Sequence, residues 1–189
     1  MNNAHAPMSS EDLTALAARI DRPLVLVGLM GVGKSTLGRR LASALDRSFV
    51  DADEEIERAA DRTVSEIFAS HGEAYFRDGE RRVIARLMEE GHGVIATGGG
   101  AFVDDETRAV VLEKGIAIWL DCDLDTLVDR TSRKNTRPLL KTGNPRDILF
   151  NLKEQRSPFY AEAQIHVATN NGPHDATVAR ILEKLAKWL

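Results

Sequence analysis

A chain of 189 residues, 43% hydrophobic and 29% charged, has the size and balance of one globular domain around one core. Its formal net charge of -4 excludes a non-specific grip on a polyanion such as nucleic acid, although basic residues could still gather in one cleft. Cys122 is the only cysteine, so no internal disulfide can form, and no apolar run approaches the roughly 20 residues of a membrane span. No basic segment followed by an apolar run opens the chain, so the expectation is no signal peptide and a cytoplasmic protein.

The predicted elements alternate. Residues 1–7 read as a disordered leader, and 11–20 as a short helix capped by Ser9 or Ser10. PLVLVG at 23–28 is a short apolar run that fits a strand buried on both faces. After a glycine-rich turn, Leu37, Leu41 and Ala44 or Leu45 repeat at helical spacing. Residues 48–50 form a second strand ending at Asp51. Thr63-Val-Ser-Glu66 is a capping box that opens a helix through Ser70; His71-Gly72 ends it, and a longer helix follows to Glu90, where Gly91 stops it. Residues 93–97 are a third strand, followed by three glycines, and 104–114 a helix. Residues 116–120 are a fourth strand with Cys122 packed beside it, and 123–131 the next helix. The polar, basic stretch 132–144 reads as a loop. Residues 145–163 are helical with an interruption near Pro158, 165–168 are a fifth strand, and Val178, Ile181, Leu182, Leu185 and Trp188 stripe a last helix. Such alternation predicts a parallel sheet with helices on both faces, and ligands bind beyond the carboxyl ends of its strands.

The unusual residues fall at those ends. Gly28-Leu-Met-Gly-Val-Gly33-Lys34-Ser35-Thr36 matches G-x-x-x-x-G-K-[ST], directly after an apolar strand and before an amphipathic helix. There the backbone N–H groups and the positive helix end can cradle phosphates, Lys34 can reach the β- and γ-phosphates, and the Ser35 hydroxyl can ligate Mg²⁺. Asp51 and Asp53 stand on one side of the chain if the strand continues, and could orient metal-bound water and a substrate hydroxyl; equally, either could be a helix N-cap. Arg77 and Arg156 are solvated surface charges unless they converge, in which case they suit a carboxylate. Gly98-Gly99-Gly100 is a flexible turn or a place where a ligand approaches the backbone. Arg130, Arg133, Lys134, Arg137 and Lys141 make either a solvated basic loop or a lid that brings an arginine to a transferred phosphoryl group. His5, His71, His92, His166 and His174 show no metal-ligand spacing.

GLMGVGKST at 28–36, FVDAD at 49–53, FR at 76–77, TGGGA at 97–101, RPLL at 137–140 and RSPFY at 156–160 stand in the order and spacing of the shikimate kinase family, which this sequence resembles over about 23–170. The resemblance implies an α/β fold like that of nucleoside monophosphate kinases. This is a P-loop three-layer sandwich with a five-stranded parallel sheet in order 2-3-1-4-5 and a mobile lid at about 131–145. It implies one kinase domain over 21–189 behind an N-terminal extension at 1–20. The implied reaction is transfer of the ATP γ-phosphoryl group to the 3-hydroxyl of shikimate, towards aromatic amino acids. By the same likeness, Lys34, Asp53 and Arg137 are catalytic. Gly31, Val32, Gly33, Lys34, Ser35, Thr36, Arg130 and Arg137 hold ATP, and the segment near 169–173 closes over adenine. Asp53, Arg77, Gly98, Gly99, Gly100 and Arg156 hold shikimate, with Phe68, Phe76, Glu80 and Leu139 in support. Ser35, and Asp51 through water, serve Mg²⁺. The strand before Gly98 carries no Walker-B acid, and the extension lies outside the matched core. Nothing demands an oligomer, and a monomer is expected. A gluconate or nucleoside monophosphate kinase is the competing enzyme, and a nucleotide-binding regulator without catalysis the competing class; Lys34, Ser35, Asp53 and Arg137 argue against the latter.

Overall fold

The computed structural model describes residues 8–91, 93–132 and 143–189. Its centre is β1, Leu24–Val27, four apolar residues with no measurable exposure. Burying each such side chain contributes roughly 1.5–3 kcal/mol. On either side lie β3, Val94–Ala96, and β4, Ile116–Cys122; β2, Phe49–Asp51, and β5, Ile165–Thr169, complete a parallel sheet in the order β2-β3-β1-β4-β5. The expected fold class is therefore the observed one. The edge strand β5 alternates buried and exposed residues, as a strand with one covered face should.

Helices cover both faces. Gly38 of α2, Lys34–Ala44, faces Leu26 of β1, whereas Met88 of a helix spanning Val64–Glu89 lies near Val25, the neighbour that points the other way. In chain order the helices are α1 (Ser10–Arg19), α2, α3 (Ala52–Ala60), α4 (Val64–Glu89), α5 (Asp105–Lys114), α6 (Leu124–Ser132), α7 (Pro145–Tyr160) and α8 (His174–Trp188). Local chemistry sets several starts. Ser9 and Asp12 form a reciprocal capping box for α1, and Thr63 and Glu66 form one for α4. The break expected at His71-Gly72 is present: Gly72 has φ 79° inside α4, a backbone that redirects the helix before Arg77.

Two expectations need correction, and one alternative is resolved. The strand does not continue past Asp51, because Asp51 caps α3 and Asp53 sits in that helix's first turn. Helix α7 runs through Pro158 without interruption and ends at Tyr160; one turn from its end, proline forfeits only a single backbone hydrogen bond. Strand β4 extends to Cys122, which is a buried member of the strand.

Register positions the site. Asp51 pairs with Ala96, and Ala96 with Leu26, so β2, β3 and β1 end on one level. The segments that leave them (51–53, 97–100 and 28–33) emerge at the same sheet edge. A separate groove of about 550 Å³, lined largely by apolar parts of α1, α2 and α8, lies away from it. Among the described residues no helix is long and apolar enough to cross a membrane.

Candidate active site

The loop after β1 turns on Gly28, whose φ of 135° and close approach to the Leu120 carbonyl (2.5 Å from an added Cβ) admit no side chain. Gly33 then begins α2 at φ 98° with no side-chain cap, and the helix carries no acidic residue in its first turn. Its leading N–H groups and positive end are thus left for an anion. Gly31, Val32 and Gly33 form the loop wall, and Thr36 is exposed on the first turn. Lys34 is buried and bends back over the loop, its Nζ donating to the carbonyls of Gly28 (2.7 Å) and Leu29 (2.9 Å). Arg130 reaches across from α6 and donates to the carbonyls of Gly31, Val32 and, at 2.6 Å, Asn170, joining the loop to the segment after β5.

Asp51 takes the N-cap role that was open for it and also meets Ser35. One carboxylate oxygen caps α3 by accepting from the Asp53 N–H at 3.0 Å, and the other accepts from Ser35 Oγ at 2.5 Å. Two hard oxygen donors therefore meet at the helix start where phosphates would sit, a donor set that fits Mg²⁺. Thr97 stands where a Walker-B acid would and donates its hydroxyl to Leu26. Among the described residues no group of three or more His, Cys, Asp or Glu could hold an ion by itself. Most of the ligands of any ion here would have to come from phosphate and water.

The glycine run explains the second half of the site. An added Cβ on Gly98 would lie 2.8 Å from both Asp53 Oδ1 and Glu80 Oε1. On Gly99 it would lie 3.5 Å from Arg156 Nη1, and on Gly100 2.6 Å from Arg77 Cζ. Gly98 and Gly100 thus yield their side-chain space to charged groups from α3 and α4, Arg156 of α7 lies in ordinary contact beside Gly99, and the four charged groups gather around one bare stretch of backbone. Arg77 and Arg156 do converge, and both pull on the hydroxyl of Tyr160.

Electrostatics differs between the two arginines. Arg77 lies over the Phe76 ring, 5.2 Å from its centroid, and Phe76 packs on Phe68. It donates to Glu80 Oε2 at 2.5 Å and to Glu73 Oε1 at 3.3 Å. Burial lowers its pKa, but these carboxylates outweigh burial and leave it raised. Glu80 is 1% exposed, its Oε1 has no partner among the described residues, and burial pushes its carboxyl above the usual range. Burial, then nearby Asp51, also pushes Asp53 up, with Lys34 and Arg77 opposing. Arg156 sits on α7, whose end is fixed by Lys153 to Asp121 (2.8 Å) and by Arg108 to Glu162 (3.0 Å).

The residues singled out in the sequence thus fall into two adjoining groups. Gly31, Val32, Gly33, Lys34, Ser35, Thr36 and Arg130 surround the loop; Asp53, Arg77, Gly98, Gly99, Gly100 and Arg156 surround the glycine run; and Asp51 stands between them. Arg137, Leu139 and most of the lid segment lie outside the described residues, as do residues 1–7 and His92. Tyr160 was quoted only as the end of RSPFY. Its spacing of one helical turn from Arg156 was the signal available for it.

A family model for shikimate kinase matches residues 30–186. A shikimate kinase of Novosphingobium aromaticivorans is 59% identical over 193 aligned residues, covering all of both chains. That of Caulobacter vibrioides is 55% identical, over 93% of this chain and 86% of its own. Among solved structures, the shikimate kinase of Acinetobacter baumannii in complex with shikimate superimposes with a TM-score of 0.86 at 36% identity, covering 95% of this chain and 98% of that one. With the matched region covering most of the loop, the glycine run and both arginines, and with one relative aligned from end to end, the chain belongs to the shikimate kinase family.

Proposed function

We propose that this enzyme transfers the γ-phosphoryl group of ATP to the 3-hydroxyl of shikimate, with the glycine run and its four charged neighbours as the acceptor site. The observation that carries the reading is the meeting of Arg77 and Arg156 beside Gly99 and Gly100, with Asp53 between them and the phosphate loop. Two guanidinium groups suit one carboxylate, and a carboxylate so held fixes the ring that bears it. Asp53 then hydrogen-bonds the ring hydroxyls that face the loop.

Phosphoryl transfer passes through a loose transition state, so alignment and charge neutralisation dominate over base strength. Gly31, Val32 and Gly33 cradle the phosphates through backbone N–H groups, and Lys34 exchanges its carbonyl partners for phosphate oxygens. Magnesium, when bound, supplies neutralising charge at the β- and γ-phosphates. Ser35 would hold it, and Asp51 would do so through water. Arg130 packs against the adenine side, under the segment beginning at Asn170. Arg137, assigned on its RPLL motif, stabilises the transferred phosphoryl group. The raised pKa of Asp53 lets it hold the nucleophile as a carboxylate and accept its proton late.

Residues 21–189 act as one catalytic domain, monomeric and cytoplasmic, with 1–20 as an extension. An ADP-release assay across shikimate, gluconate and nucleoside monophosphates tests the reading. Turnover with shikimate alone is expected; turnover with another acceptor, or none, would overturn it.

A further inference from the structure

We propose that Tyr160 is a positioning residue for shikimate, its hydroxyl joining the Arg156 guanidinium to the Gly99 peptide so that Arg156 stays aimed over the glycine run. The inference rests on the acceptor site described above. Tyr160 is 1% exposed, and its ring lies 6.0 Å from that of Trp119, so packing fixes the ring. Packing alone would be served equally well by phenylalanine. A buried hydroxyl needs partners to offset its lost hydration. This one donates to the Gly99 carbonyl, and Arg156, one turn earlier on α7, stands beside it. Burial raises the Tyr160 pKa to about 12, so the hydroxyl remains a neutral donor at physiological pH.

The two arginines are therefore oriented by different means. Arg77 is held by two carboxylates, Glu80 and Glu73, which neutralise it as they hold it. Arg156 has no carboxylate ion pair among the described residues. A neutral phenol can orient a guanidinium without consuming its charge, leaving that charge for the substrate's carboxylate. The Gly99 carbonyl takes the phenol's proton donor, and the phenol's lone pairs remain for Arg156. The anchor also ties the arginine to the loop against which the substrate ring would lie.

The test is Tyr160→Phe, which keeps the ring, assayed beside the unsubstituted enzyme. The expected result is a shikimate KM raised about tenfold, with the ATP KM within about twofold and kcat reduced less than the shikimate KM is raised. If the unsubstituted enzyme does not use shikimate, the acceptor reading itself fails. If it does, and the variant's shikimate KM is unchanged, only this inference fails. Equal rises in both KM values would show general loosening and would also overturn it. In an Arg156→Lys background the same change should alter the shikimate KM less than about twofold, because the partner geometry is already lost; independent effects would contradict the pairing. Should Tyr160→Phe not fold, the Tyr160 hydroxyl proton of the unsubstituted enzyme is followed by NMR. A shift on adding shikimate but not ADP is expected, and indifference to shikimate would refute the proposal.

Discussion

Replacing Gly100 by alanine isolates the carboxylate clamp from the rest of the fold. Gly100 has φ -98° and ψ -13°, a backbone that alanine adopts without strain. Its added methyl would instead meet the Arg77 guanidinium, 2.6 Å from Cζ and 2.7 Å from Nη1. The guanidinium is the far end of a flexible side chain, so it moves rather than the backbone. In moving it leaves Glu80 and its aim at the acceptor site. A hydrogen bond involving a charged group is worth about 1.5–3 kcal/mol, so shikimate should bind about 10- to 100-fold more weakly. Calorimetric titration of shikimate and of ATP into the variant reads this directly; ATP affinity should hold within about twofold. Gly79→Ala is the control, because a Cβ there meets nothing within 4 Å. Within α4 it should leave shikimate affinity alone and stabilise the fold by about 0.5–1 kcal/mol. Unaltered shikimate affinity in Gly100→Ala, or equal loss of ATP affinity, would refute the reasoning.

Three further outcomes follow from the same geometry. Lys34→Met should abolish ADP release while circular dichroism and the melting profile show the fold retained. Arg130→Ala removes the tie from α6 to the carbonyls of Gly31, Val32 and Asn170, and should raise the ATP KM several-fold in steady-state assays with the shikimate KM little changed. Asp53→Asn should lose most turnover yet melt higher at pH 7. The raised pKa of Asp53 means that its charged form opposes folding; that penalty is absent below the unfolded value of 3.8 and grows as pH rises through the folded pKa. For a domain of this size each kcal/mol gained appears as about 2–4 °C. The gain should fade in scans taken toward and below pH 3.8, and a gain independent of pH would contradict its electrostatic origin.

Local signals carried much of this account. The apolar run at β1, a cap at Ser9 or Ser10, the capping box at Thr63 and the break at Gly72 depend on near neighbours, so they were readable in order along the chain. Whether Asp53 continued the strand or opened a helix stayed undecided, because period-two spacing does not reveal where a cap ends the strand. Asp51 ended it by accepting the Asp53 N–H. Pro158 was overweighted because proline's effect depends on how many turns remain after it, and here almost none did. The convergence of Arg77 and Arg156 was beyond local reading. They lie on different helices, and only the redirected α4 and the anchored end of α7 bring them to the glycine run. Three glycines in a row read as either a flexible turn or a place of close ligand approach, and nothing local showed that Gly98 and Gly100 leave space for charged side chains. Tyr160 went unassigned because a tyrosine at a helix end looks like ordinary packing until its hydroxyl partners are visible.

The most direct test of the carboxylate clamp is calorimetric titration of the enzyme with shikimate and with its methyl ester, which keeps the ring hydroxyls and removes the charge. The clamp predicts that the ester binds at least about 100-fold more weakly, two charged contacts being lost, and that the gap narrows in Arg77→Ala and in Arg156→Ala. Equal affinity for acid and ester would contradict it.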